Sequence, residues 1–247
     1  MSGHSHFATI KRTKEANDAK KGRVFSKYAK EIAIAVKTGG GVDPEFNYKL
    51  RMIVEKARSF NMPKDNIDRA ISRGTGGEAL EVINYEGFGP CGVSVIVETA
   101  TDNRNRTAQE IKNIIEKGGG SLGGPGSVSY NFENRGLLIV KKENDFEEQM
   151  LKLIDCGAED VEEAGDEIEV YTQPDKVKEV RDKVEELGFS VKSAELCMEP
   201  KTFKEINDSK DASKILSFME QLDECEDVSH VYANFDISDD IMKEIEQ

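Results

Sequence analysis

No tryptophan occurs among the 247 residues, and the chain holds only 3 histidines, 4 cysteines and 6 prolines. The scarcity of histidine leaves a metalloprotease pair or a Ser-His-Asp triad almost without a candidate base, since His4 and His6 sit at the terminus and His230 stands alone. Cys91, Cys156, Cys197 and Cys225 are spaced by 65, 41 and 28 residues with no CxxC pair. That spacing supports neither a zinc ribbon nor a disulfide framework, and reads as reduced, mostly buried thiols. Long apolar runs are missing as well. Ile32 to Val36 and Val93 to Val97 fall far short of a membrane span, and no charged-then-apolar leader precedes them, so a cytoplasmic protein with no membrane partner is expected. The chain has no Gly-Lys dipeptide and hence no Walker A loop, and its many carboxylates show no spacing that singles out a pair. An enzyme is therefore not expected, and neither a metal nor another cofactor is implied.

What is present is charge, unevenly spread. Residues 1–77 carry 16 Lys+Arg against 8 Asp+Glu, net +8, while residues 78–247 carry 18 against 40, net −22. A basic head on an acidic body suggests a polyanionic partner for one part only, which the acidic total of −14 conceals. The densest stretch is Lys11, Arg12, Lys14, Lys20, Lys21, Arg23, Lys27 and Lys30, opposed only by Glu15 and Asp18. Cations at that density attract a phosphate backbone through counterion release. The plainer alternative is a solvated helix face.

Periodicity divides the chain. Phe25, Tyr28, Ile32, Ala35 and Val36 recur at helical spacing and stop at Gly39-Gly40-Gly41. A second helix is expected to open at Asp43-Pro44 and bury Phe46, Leu50, Ile53, Ala57 and Phe60, with Asn61-Met62-Pro63 breaking it. A third follows, with Lys64/Asp68 and Asp65/Arg69 pairs and Ile67, Ala70 and Ile71 inward, and stops at Gly74, which opens a linker to Gly77. From Leu80 the period falls to two and predicts a hairpin about Gly87-Phe88-Gly89-Pro90, then a helix near Asn103 to Lys117 and a flexible glycine-rich loop from Gly118 to Gly126 that lets the backbone approach something closely. A strand with Val128, Tyr130 and Phe132 and another at Leu137 to Val140 complete this stretch. Residues 137–198 then read as βαββαβ, a ferredoxin-like unit. A further strand-helix-strand at 203–235 is half of such a unit, whose other half lies at 91–133. The expected fold is α+β: a basic helical domain at 1–77, a discontinuous α/β domain at 78–134 and 201–247, and a ferredoxin-like α/β domain at 135–200 inserted in it.

Gly87-Phe88-Gly89-Pro90-Cys91-Gly92 matches GxGxxG, but it joins strand to strand, with no helix N-terminus to receive a pyrophosphate, and reads as a tight turn. Asp102-Asn103-Arg104-Asn105-Arg106-Thr107 sits at a strand-to-helix junction where Asp102 is a candidate cap. Arg104 and Arg106 there serve either a buried network or a second phosphate contact. The tip, Gly3-His4-Ser5-His6-Phe7, offers hydrogen-bonding and stacking groups ahead of the lysines, against the simpler reading of a frayed terminus.

These segments resemble the YebC family, whose eukaryotic members include the mitochondrial translational activator of cytochrome c oxidase subunit one. The resemblance is carried by Gly3-His4-Ser5, Ala19-Lys20-Lys21-Gly22-Arg23-Val24-Phe25, Asn61-Met62-Pro63-Lys64-Asp65-Asn66-Ile67, Tyr85-Glu86-Gly87-Phe88-Gly89-Pro90, Thr101 to Thr107 and Val231 to Ile237, in order along the whole chain. It implies three domains around a cleft and a role in gene expression, as a DNA-binding transcriptional regulator or as a factor acting in translation on the ribosome. Family members often carry Lys-Trp where this chain has His6-Phe7, which removes a cation there. The combined expectation is a monomer whose His4, Lys11, Arg12, Lys14, Lys20, Lys21, Arg23, Lys27, Lys30, Lys64, Arg104 and Arg106 contact nucleic acid, either rRNA or tRNA with the ribosome as a further partner, or promoter DNA.

Overall fold

The computed structural model describes residues 21–76 and 80–245. The first described helix, α1 (Lys21–Thr38), buries Tyr28, Ile32, Ala35 and Val36 along one face, and the chain leaves it through Gly40 at φ 93°. The next helix, α2 (Tyr48–Ser59), starts later than the Asp43-Pro44 signal predicts. Asp43 closes a turn instead, its Oδ1 accepting from the Glu45 N–H at 2.9 Å and its carbonyl from the Phe46 and Asn47 N–H groups. Asn47 takes the cap because an amide both accepts and donates. Its Oδ1 accepts from the Leu50 N–H at 3.0 Å, and its Nδ2 donates to the Ala35 and Gly41 carbonyls at 2.9 and 2.8 Å, tying the start of α2 to the end of α1. The shift leaves Phe46, expected inside, 84% exposed.

Helix α3 (Lys64–Thr75) follows Pro63 and buries Ile67 and Ala70. Arg69 donates to the Asp65 carbonyl and to Asn66 Oδ1, in place of the expected carboxylate pair. The helix runs through Gly74, the expected start of the linker, to Thr75. A Cβ at Gly74 would stand 2.7 Å from both the Ala33 carbonyl and Val36 Cβ, so α1 packs against α3 here at a distance that leaves no room for a side chain.

Strands β1 (Glu81–Phe88) and β2 (Ser94–Thr101) form the predicted antiparallel hairpin, in register from Glu81↔Thr101 to Phe88↔Ser94, with a 3-10 turn at Pro90–Gly92. The GxGxxG segment thus joins strand to strand, as expected. Helices α4 (Arg104–Lys117) and α7 (Ser209–Glu224) bury Ile111, Ile115, Ile215 and Phe218 with Val93, Val95 and Val97, while Ile96 clusters with Val128 and Phe132. With β3 (Ser121–Leu122) and β9 (Val228–Ala233) at the edges, the sheet order is β3-β1-β2-β9. The glycine-rich loop makes its close approach here: a Cβ on Gly120 would collide with the Phe88 carbonyl, so the small residue lets β3 pair with β1. The strand expected at Val128 to Phe132 is a 3-10 turn at Ser129–Asn131 that leaves Tyr130 70% exposed. Strand β8 (Lys204–Ile206) also stays out of this sheet and pairs in parallel with β10 (Phe235–Ile237), before α8 (Asp239–Ile245).

Strand β4 (Phe132–Lys141) is continuous, with Leu137 to Val140 as its second half. It is followed by α5 (Phe146–Asp155), β5 (Asp160–Ala164), β6 (Glu167–Thr172), α6 (Val177–Glu186) and β7 (Val191–Pro200), the predicted βαββαβ succession. Its antiparallel sheet has the order β5-β6-β4-β7, the arrangement of a ferredoxin-like unit. Leu138, Val140, Ile168 and Val170 of the sheet bury with Leu153, Val180 and Val184 of the helices, each worth about 1.5–3 kcal/mol of transfer free energy. Tyr48 and Met52 of α2 join the same cluster, so the helical head and this sheet share apolar surface. The chain is a mixed α and β protein with antiparallel main sheets, as expected.

Candidate nucleic-acid interface

The cations expected to meet phosphate are distributed in three ways. His4, Lys11, Arg12, Lys14 and Lys20 lie outside the described residues, and Lys21 opens α1. Lys64, the first residue of α3, and Arg104, the first of α4, are exposed, and the Arg104 carbonyl accepts from the Tyr85 hydroxyl at 3.4 Å. Arg23, Lys27, Lys30 and Arg106 face the chain's own acids.

Arg23, Lys27 and Lys30 follow one another by four and three residues, so they form one stripe along α1. The stripe meets the end of α7. Arg23 stands 3.4 Å from Glu224, Lys27 stands 3.2 Å from Asp223 and also donates to the Asp223 carbonyl, and Lys30 stands 2.6 Å from Asp227 and donates to the Glu226 carbonyl at 3.0 Å. Helix α7 has no basic residue in its last turn. The partial negative charge of its C-terminal carbonyls therefore adds to four carboxylates in five residues, and α1 supplies the cations that answer it.

Asp227, 4% exposed, is the centre of this contact. Its Oδ2 accepts from Thr107 at 2.6 Å, Arg106 at 2.9 Å and Thr101 at 3.3 Å, and its Oδ1 accepts from Lys30. Burial alone would raise its pKa, but the hydrogen bonds from Lys30, Thr107 and Arg106 outweigh burial and hold it at about 2. Arg106 also bonds Asp102 at 2.9 Å. Asn103, not Asp102, caps α4, its side chain accepting from the Arg106 N–H. Of the two uses open to the arginine pair, Arg106 enters a structural network while Arg104 stays at the surface.

A second polar junction lies where the head, β2, β7 and β9 meet. His230 Nδ1 is 3.2 Å from Glu98, its Nε2 is 3.9 Å from Glu195, and Lys56 bonds Glu195. Burial works against protonation of His230, yet the Glu98 hydrogen bond with Glu31 and Glu195 nearby carries its pKa above the ordinary value. Burial raises the pKa of Glu31. A cavity of about 870 Å³ opens beside this junction, lined by Val24, Tyr28, Met198 and Leu216 together with carboxylates such as Glu169 and Glu220. Arg23, Lys27, Lys56 and Lys192 line it as well, but carboxylates outnumber them and disfavour a phosphate chain deep inside it.

Sequence reasoning missed Asp223, Glu224 and Asp227 as partners of the basic stripe. The signal was the run Asp223-Glu224-Cys225-Glu226-Asp227, which is legible in the chain, although nothing local says that it faces α1.

Two family models cover the chain: the TACO1/YebC protein N-terminal domain at residues 5–77 and the TACO1/YebC second and third domain at residues 80–235. Similar proteins include a "Probable transcriptional regulatory protein" of Dictyoglomus turgidum, 48% identical across 99% of this chain and 100% of that one. One of the same name from Trichlorobacter lovleyi is 47% identical over 99% of this chain and 100% of that one. A crystal structure of a conserved hypothetical protein from Aquifex aeolicus superposes with a TM-score of 0.84 at 42% identity, covering 90% of this chain and 93% of the other. With matches that run along the head and both α/β parts, the chain belongs to the TACO1/YebC family.

Proposed function

We propose that this chain is a non-enzymatic, nucleic-acid-binding regulator of gene expression that acts in the cytoplasm as a monomer on RNA and the ribosome. The observation that carries the reading is the segregation of charge, +8 on residues 1–77 against −22 on the remainder. The head, comprising the N-terminal segment, Lys21, Lys64 and neighbouring cations, is the polyanion-binding part. The acidic remainder, organised as 78–134 with 201–247 and an inserted 135–200, faces basic ribosomal proteins or projects away from RNA. Each part has an apolar cluster centred on its own residues, although Tyr48 and Met52 of the head also pack into that of the inserted unit. Among the described residues no helix is long and apolar enough to cross a membrane.

The names of the relatives favour a second reading, transcriptional regulation at promoter DNA. Against it, a major-groove reader needs an exposed helix with arginines free to take a base edge in bidentate fashion. In the head the α1 stripe is turned to α7, Arg51 and Arg69 bond backbone carbonyls of their own neighbourhood, and the exposed Arg58 lies on a different helix from Arg69, so Arg51, Arg58 and Arg69 are scattered over two helices.

The test is ultraviolet crosslinking in cells with parallel sequencing of attached RNA and DNA. Crosslinks concentrated in rRNA and tRNA, reduced by Lys20→Ala with Lys21→Ala, are expected, together with a salt slope lowered by about 2 in vitro. Enrichment at discrete promoters without ribosomal signal would overturn the RNA reading in favour of the second.

A further inference from the structure

We infer that Asp223 and Glu224 compete with nucleic acid for Arg23 and Lys27 of the α1 cation stripe, so that the body of the protein restrains its own basic head. The inference rests on the nucleic-acid reading above and adds to it how binding at that surface is regulated.

The geometry has three parts. First, the partners match as phosphate and a basic groove do: three cations at successive helical turns meet carboxylates and the carbonyl end of α7, all acceptors of the kind a phosphate oxygen would replace. Second, the contact is graded. Lys30 and Asp227 are tightly held, the Asp227 side chain being 4% exposed, whereas the Arg23 and Glu224 side chains are 48% and 45% exposed at 3.4 Å. An exposed pair at that separation is weak, screened by salt and replaceable by a phosphate without unfolding anything. Third, the loose end is the one that continues into Lys20 and the other cations at the start of the chain, so an incoming backbone that engages them reaches Arg23 first and Lys27 next. Lys30 with Asp227 remains as the anchor about which α1 and α7 stay joined.

The full chain carrying Asp223→Asn with Glu224→Gln is titrated with a labelled single-stranded RNA by fluorescence anisotropy over a range of KCl concentrations. It is expected to bind about fourfold tighter than the unaltered chain, roughly twofold for each of the two pairs released, the exposed Arg23–Glu224 and the part-buried Lys27–Asp223. Its salt slope should steepen by about 0.7 for each cation handed to phosphate. Glu147→Gln with Glu148→Gln, on α5 in the inserted unit, makes the same change in net charge and should stay within about twofold of the unaltered chain. If the double variant does not fold, Glu224→Gln alone carries the test, with about twofold tightening expected. Equal affinity and slope in the Asp223/Glu224 variants and the unaltered chain would overturn the inference while leaving the nucleic-acid reading in place, as would equal tightening by the α5 variant. Absence of binding in every variant at every salt concentration would overturn both.

Discussion

Replacing Asp227 by Asn tests whether the contact between head and body is an electrostatic hub. The substitution keeps the shape, removes the charge, and leaves Lys30, Arg106 and the Thr101 and Thr107 hydroxyls around an amide that has one acceptor oxygen where the carboxylate had two. The fall in pKa from an ordinary 3.8 to about 2 corresponds to a stabilisation on the order of 2 kcal/mol. The donors left without an anion add to this, so the full loss is about 2–4 kcal/mol. For a chain of this size that lowers Tm by roughly 5–15 °C at neutral pH, measured by circular dichroism. The pH dependence is the sharper readout. A carboxylate whose pKa is depressed on folding stabilises fully above its unfolded value of 3.8, and the contribution is lost as pH falls through about 2. The gap between the unaltered chain and Asp227→Asn should therefore be constant above about pH 5 and should narrow between pH 4 and about 2. A gap that is absent at neutral pH, or that does not change across the acid range, would refute the assignment of Asp227 as a buried, ionised hub.

Gly74→Val should destabilise the helical head by about 1–3 kcal/mol, because its Cβ meets the Ala33 carbonyl and Val36 at 2.7 Å, and urea unfolding followed by circular dichroism at the helical band should report the loss; an unchanged midpoint would mean that α1 and α3 do not pack through this residue. The His230 imidazole should titrate above 6.5 by NMR, since Glu98, Glu31 and Glu195 together outweigh burial. A pKa raised on folding stabilises fully below the unfolded value and is lost as pH rises through the folded one, so the stability difference between the unaltered chain and His230→Gln should shrink at alkaline pH. Titration at or below 6.5 would show that burial wins at this junction.

Local pattern determined much of this protein. The helical spacing of Tyr28, Ile32, Ala35 and Val36, the strand signal about Val95 and Val97, and the βαββαβ succession after Leu137 all reappear as elements, because hydrophobic pattern is a property of neighbouring residues, although the strand at Ser94–Thr101 is buried on both faces rather than alternating. Where two local signals competed, tertiary context chose between them. Asp43-Pro44 is a sound helix start in isolation, but Asn47 can cap α2 and close α1 at once, and that double use is visible only when Ala35 and Gly41 are in place. Gly74 reads as a linker residue by composition and is a packing residue by proximity, since the missing Cβ matters only when another helix lies against it. The candidate site divides the same way. The charge asymmetry and the stripe at 23, 27 and 30 are written in the chain, as is the acidic run at 223–227. That the two face each other across about two hundred residues of intervening chain is a long-range fact, and no periodicity encodes it. It arises because β9 docks on the edge of β2 and so carries the end of α7 to α1, turning the cations a sequence would assign to an external partner into partners for the protein's own carboxylates.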